Sequence, residues 1–320
     1  MPAMAEGAPP MIDLAVVVVT WNNADVIAEA LESLLDDLQC SGLHNEVWLV
    51  DSASADATVA IVRERFASVK LIACERNIGF GAGNNLALRA IGFDGEDEAA
   101  ALPAAVYLLN PDTVTQPGAC RSLFDALMAR ADVGLAGARL TFGDGSFQHS
   151  AFRFPGLRQI WSEFFPTPGR MAEGAFNGRY SRAQYDLAQP FEVDFTLGAT
   201  MMLRREVIQQ THGFNTDFFL YCEEIDWAWR IRRAGWRVLC VPLARVTHLG
   251  GGSTSQARPR SLIDLWKSRL LLYDTYYPRW KRAAARRLVI AGMRRKLRAL
   301  DKADTEMKRA YRAVIEMARL

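Results

Sequence analysis
Long apolar runs are missing from this chain. Nothing in its 320 residues approaches the roughly 20 consecutive apolar residues of a membrane-spanning helix, and Leu14 to Val19, the longest run near the start, is far shorter. Residues 1–10 carry no basic cluster, which argues against a secretory signal and reads as a short disordered leader. Cysteine is sparse, odd in number and scattered: Cys40, Cys74, Cys120, Cys222 and Cys240 include no CxxC pair. That pattern fits neither a disulfide framework nor a cysteine-held zinc ion, but it does fit buried thiols in a reducing cytoplasm. Two phosphate-binding signatures are absent as well. No GxxxxGK[ST] loop occurs, and Gly79, Gly81 and Gly83 miss the GxGxxG spacing of the dinucleotide fingerprint. There is no internal repeat and no low-complexity tract.

What is present suffices for a large core, with 50% hydrophobic and 23% charged residues. The net charge of +2 hides an asymmetry. Gln256 to Leu320 holds 18 Lys/Arg against 6 Asp/Glu, leaving 20 basic and 30 acidic residues before it. Such a tail suits an anionic partner: nucleic acid, phospholipid or a diphosphate substrate.

The first third alternates between two periods. Ile12–Val19, Glu46–Val50, Val69–Ala73 and Ala105–Leu109 are predominantly apolar runs of strand type, the first rich in β-branched residues as in a strand buried on both faces. Between them, Asp25–Leu38 has helical spacing, Asp56 can cap a helix to Phe66, and a glycine-rich turn opens a helix to about Ala90. This β-α-β-α order predicts a mostly parallel sheet with helices on both faces. Thr141–Pro190 lacks clear periodicity and reads as a connection on the acceptor side. Val193–Leu203 is then expected as one strand, Glu223–Ala234 as a helix stopped by Gly235, and Trp236–Val241 as a strand closed by Pro242. Beyond Ser261 the chain reads as helical to its end.

In open α/β sheets ligands lie beyond the carboxyl ends of the strands. Four such ends are polar here: Thr20-Trp21-Asn22, Asp51-Ser52, Asn77 to Asn85, and Asn110-Pro111-Asp112. Asp51 can accept the imide N–H of a pyrimidine base, or simply cap a turn. The Gly79 to Gly83 segment can bring backbone close to an anion at a helix start, or form a structural turn. Asp112 can ligate Mg²⁺ or Mn²⁺ that absorbs the charge of a departing diphosphate, or cap a proline turn. Glu223, Glu224 and Asp226 crowd a helix start, where a carboxylate among apolar groups can serve as general base. Asp226 can equally pair with Arg230, four residues on. His248, followed by glycines, can complete a metal shell or remain structural. Trp280–Leu300 places Ile290, Met293, Leu297 and Leu300 at helical spacing among arginines. Such a helix lies on an anionic membrane or packs on its own domain.

Together, Val18-Val19-Thr20-Trp21-Asn22, Val50 to Ser54, Asn77-Ile78-Gly79-Phe80-Gly81, Leu109 to Asp112, Phe218 to Arg230 and the His248 segment resemble glycosyltransferase family 2. These are inverting GT-A fold enzymes, and the likeness is to the bacterial rhamnosyltransferase branch. The resemblance implies a GT-A catalytic domain over 11–255, with a nucleotide-sugar half (11–115), an acceptor and catalytic half (116–255), and a basic helical region at 256–320. It implies that Thr20, Asn22, Asp51, Asn77, Gly79, Asn84 and Asn110 face the donor, and that Asp112 and His248 hold Mg²⁺ or Mn²⁺. Glu224 becomes the general base and Asp226 orients sugar or acceptor, with Glu223, Trp227, Lys267 and Arg269 near the acceptor or its phosphates. Two positions depart from the family pattern: Asn110 replaces the first Asp of DxD, and Glu224 replaces an Asp.

The implied donor is dTDP-rhamnose or a UDP-hexose, and the implied acceptor a saccharide or polyprenyl-diphosphate saccharide of cell-surface polysaccharide synthesis. The implied location is cytoplasmic, peripheral on the inner face of the membrane, with no nucleic-acid partner. The rival readings are a catalytically decayed sugar- or lipid-binding relative and an NAD-dependent oxidoreductase.

Overall fold
The computed structural model describes residues 12–95, 102–250, 258–300 and 304–320. The expected leader and the glycines after Gly250 lie outside these residues.

A mixed sheet of ten strands forms the centre. Strands β1 (Leu14–Thr20), β2 (Asn45–Asp51), β3 (Lys70–Ala73) and β4 (Ala105–Leu109) run parallel in the spatial order β3-β2-β1-β4. Every residue of β1 is buried, as its unbroken apolar sequence requires. Because side chains alternate across a strand, Leu14, Val16 and Val18 pack into one core and Ala15, Val17 and Val19 into another. The first core is closed by α1 (Ile27–Ser41) and α4 (Ala119–Met128). The second is closed by α3 (Phe80–Ile91), α8 (Arg205–Thr211) and α9 (Glu223–Arg233). Helices therefore cover both faces, as the alternating periods predict.

Three expectations are corrected. Val193–Leu203 is not one strand but is broken into β9 (Phe191–Val193), β10 (Phe195–Thr196) and β11 (Thr200–Arg204). A turn at Leu197 and Gly198 separates the last two, the Leu197 carbonyl accepting from Thr200 N–H, and Asp194 stands at the break between the first two. Pro242 does not end a strand, because β12 runs from Arg237 to His248. The proline falls within a register shift between Val241 and Arg245, where no ladder donor is needed. Asp56 lies just before the N-cap Ala57 of α2 (Thr58–Arg65), where it accepts from Thr58 and from Ala24 N–H.

Thr141–Pro190, read as loose, includes short elements: β8 (Ala151–Phe152), paired with β10, and α5 (Leu157–Phe164). Beyond the sheet come three long helices, α10 (Arg258–Tyr276), α11 (Arg279–Ala299) and α12 (Thr305–Met317). Ile160 and Phe164 of α5 share one apolar cluster with Trp266, Tyr273, Val289, Met293 and Val314. A Cβ added at Gly292 would stand 2.1 Å from the Phe164 ring, so this crossing requires glycine. The Ala285, Val289 and Met293 side of α11 is thus spent on packing, with Ile290 against it, while Arg287, Arg294, Arg295 and Arg298 face outward. No helix of the described residues is long and apolar enough to cross a membrane.

Candidate active site
Two clefts meet at Glu224. The first, about 650 Å³, opens beyond the carboxyl ends of β1, β2 and β4, and is lined by Thr20, Asn77, Gly79, Asn110, Asp112 and His248, among others. The second, about 580 Å³, lies between the Phe152–Arg179 stretch and α10. Leu197, Tyr221 and Glu224 line both.

The strand ends build the wall of the first cleft. Asn77 accepts from Ser52 Oγ (3.2 Å) and from Gly79 N–H (2.9 Å), and Ser52 Oγ in turn accepts from Ile78 N–H. Gly79 adopts φ +83°, and a Cβ there would press on the Phe219 carbonyl at 2.9 Å. Glycine at 79 therefore lets two loops close on each other. Trp21 and Phe219, both exposed large aromatics, stand on this cleft.

Asp112 and His248 are brought together by the β5 (Thr113–Thr115) pairing with β12, which joins His248 to Thr113. A carboxylate oxygen of Asp112 lies 3.5 Å from His248 Nε2, and Asn110 Nδ2 lies 3.5 Å from the same nitrogen. The other ring nitrogen, Nδ1, is 3.3 Å from Gln148 Oε1, a contact that orients the imidazole. A hard carboxylate oxygen and a borderline imidazole nitrogen converging on one cavity suit Mn²⁺ or Mg²⁺. Among the described residues no third His, Cys, Asp or Glu joins them in a metal-holding group. The remaining ligands would have to come from substrate oxygens and water.

Glu223 and Glu224 begin α9 after a strained turn in which Tyr221 (φ 68°) and Cys222 (φ 67°) are both left-handed. Glu223 is 4% exposed, and its Oε2 has no hydrogen-bond partner. Burial, then the adjacent Glu224 charge, push its carboxyl well above the usual range. Glu224 is partly open to both clefts, and burial pushes it up to about 7. Such a carboxyl is basic enough to take a proton from a hydroxyl near neutral pH.

Several expected residues sit elsewhere. Asp226 is 2% exposed and lines neither cleft; it accepts from Arg230 Nε (2.9 Å) and Tyr276 Oη (2.6 Å). Its charge is spent on holding α10 to α9. Trp227 is fully buried in the second core, its indole N–H donating to Thr211 Oγ1 (2.7 Å). Asp51 is 1% exposed and turned to Ser54, accepting from its N–H (2.9 Å) and Oγ (2.5 Å). Asn22 is exposed, accepts from Ala55 N–H and ties the two loops together, while Asn23 is the neighbour that lines the cleft. Asn84 is buried and donates to the Phe80 carbonyl. Arg269 lines the second cleft, paired with Glu163, whereas Lys267 is exposed and lines neither cleft.

Sequence reasoning missed Asn23, Gln148 and Asp264, and named Ser52 only as part of a polar strand end. Asn23 carried a signal as a small polar residue beside another such end. Gln148 lies in the stretch without periodicity, and nothing around it pointed to His248.

Comparison with known proteins gives a consistent result. The family described as glycosyl transferase family 2 matches residues 15–211. An N-acetylglucosaminyl-diphospho-decaprenol L-rhamnosyltransferase of Mycobacterium tuberculosis (strain ATCC 25618 / H37Rv) is 27% identical over 248 residues, covering 75% of this chain and 78% of the relative. The O-antigen biosynthesis protein RfbC of Myxococcus xanthus is 25% identical over 272 residues, which is 83% of this chain but 19% of RfbC. Among solved structures, GalNAc-T7 with UDP, GalNAc and Mn²⁺ superposes with a TM-score of 0.59 at 14% identity, over 96% of this chain and 56% of that one. Mannosyltransferase PcManGT of Pyrobaculum calidifontis, in complex with GDP-Man and Mn²⁺, gives 0.55 at 18% identity, over 97% and 88%. These likenesses establish the GT-A fold.

Proposed function
Since the chain belongs to glycosyltransferase family 2, we propose that it moves a sugar from a nucleoside diphosphate to a lipid-linked saccharide, with inversion at the anomeric carbon. The observation that carries this reading is the position of Glu224, at the seam of two clefts with its carboxyl near neutrality. The donor occupies the cleft of Asn77, Gly79, Asp112 and His248, its base against Trp21 or Phe219. The acceptor reaches Glu224 from the other side. Glu224 takes the acceptor hydroxyl proton, the oxygen attacks the anomeric carbon in line, and the bond to the diphosphate oxygen breaks with its electron pair leaving on the nucleoside diphosphate. Asp112 and His248 would hold a divalent cation, whose charge, when bound, offsets that of the leaving diphosphate. The rhamnosyltransferase likeness favours dTDP-rhamnose as donor. The outward arginines of α11 would rest on the anionic face of the membrane that carries the acceptor.

A nucleotide-sugar screen tests this reading. With Mn²⁺ present, dTDP or UDP should raise the melting temperature, and the matching sugar nucleotide should be slowly hydrolysed. Stabilisation by NADH alone would refute it.

A further inference from the structure
The second cleft is chemically distinct from the first. Its charged side chains balance, with Arg153, Arg179 and Arg269 against Glu163, Glu173 and Glu224. Two of the pairs are already made: Arg179 with Glu173 at 2.5 Å, and Arg269 with Glu163. A site built for a bare polyanion would leave its guanidiniums free, whereas here carboxylates occupy two of the three, and the Arg153 guanidinium lies over the Tyr180 ring at 5.2 Å. Aromatic faces complete the lining, with Phe152 and Phe195 stacked at 5.4 Å. Two lining hydroxyls are buried without a hydrogen-bond partner, Tyr273 Oη on α10 and Ser162 Oγ on α5. Tyr273 is only 3% exposed. An unmet buried hydroxyl is unfavourable, so a ligand that supplies the partner gains on binding. Aromatic faces, fixed ion pairs and waiting hydroxyls match a polyol with apolar C–H faces, and the volume is that of a small-ligand site.

We infer that this cleft seats the neutral sugar of the acceptor, and that Tyr273 and Ser162 recognise it. The inference deepens the glycosyl-transfer reading and rests on it for the identity of the reaction. It makes α10 a wall of the acceptor subsite, and it seats the acceptor's diphosphate outside the cleft.

The test uses the full chain, with octyl N-acetylglucosaminide as probe. In saturation-transfer NMR without donor or metal, the wild type should show transfer to the glycoside, and inorganic pyrophosphate should not displace it. Tyr273→Phe and Ser162→Ala should each weaken the signal, and with an active donor each should raise the glycoside KM about 3–10-fold. Both kcat and the affinity for the nucleoside diphosphate should stay within about twofold. No signal with the wild type, an equal signal in both variants, or displacement by pyrophosphate would overturn the inference. Failure of every nucleotide sugar to turn over would sink the reaction class instead, while the NMR result still decides what the cleft binds.

Discussion
Replacing Glu224 by Gln removes one negative charge and little else, so two independent effects should follow. The carboxyl is pushed from 4.5 up to about 7, by burial first. A group whose pKa is raised on folding leaves stability untouched below its unfolded value, and costs stability as pH climbs through the folded one. The window is therefore pH 4.5 to about 7. At about 1.4 kcal/mol per tenfold, the cost approaches about 3 kcal/mol above it, reduced by the opening of Glu224 to the clefts. Part of the same cost falls on Glu223, which the Glu224 charge holds further up. Glutamine is neutral throughout. The melting temperature of Glu224→Gln should match wild type near pH 4.5 and exceed it by about 4–8 °C at pH 8, measured without metal or nucleotide. Turnover should fall about 10²–10⁴-fold, and wild-type kcat/KM should rise with pH to a plateau above about 7, as a base requires. A melting gap that stays flat across this window would refute the burial argument. Undiminished turnover would remove Glu224 from the chemistry.

Two further outcomes follow from other parts of the molecule. His248→Ala or Asp112→Ala should weaken Mn²⁺ binding in the presence of nucleoside diphosphate by about tenfold or more, read from the electron spin resonance of free Mn²⁺; unchanged binding would move the metal elsewhere. Replacing Arg294, Arg295 and Arg298 by Glu should release the protein from phosphatidylserine vesicles at low salt, each charge contributing about 1 kcal/mol; retention would show that the outward arginines of α11 do not meet the membrane.

The parts of the fold legible in sequence are those where one local pattern decides the outcome. β1 reads as doubly buried because six consecutive apolar residues leave no polar face, and the structure covers both sides with helices. The breaks within Val193–Leu203 and the passage of β12 through Pro242 were illegible for the opposite reason. There Asp194, Gly198 and Pro242 do stand at the irregular positions, but whether such a residue breaks a strand or is carried through it depends on the neighbouring strand's register. At the site, residue type located the polar strand ends but not which side chain turns inward. Asp51 and Asp226 carry the right chemistry, yet Ser54 in one case, and Arg230 and Tyr276 in the other, claim their oxygens. Those partners are set by tertiary packing, and α10, which supplies Tyr276, begins 32 residues after Asp226.

The left-handed pair Tyr221 and Cys222 explains how adjacent glutamates come to differ. Two successive non-glycine residues at positive φ cost about 1–3 kcal/mol each, and a glycine at either position would remove that cost. What the bulkier residues contribute is contact. Tyr221 lines both clefts, and Cys222 is buried in the cluster joining Phe218, Ile225 and Leu272 of α10. The turn is thus clamped between the sheet side and the C-terminal helices, so α9 starts abruptly at Glu223. Neighbouring positions on a helix point about 100° apart. Glu223 is thereby buried on the Asp112 side, while Glu224 reaches the seam. The same helices that bring Tyr273 to the acceptor cleft therefore hold the strained turn that aims the base. Loosening them should disturb acceptor recognition and base position together, while leaving the β5–β12 pairing that joins Asp112 to His248 in place.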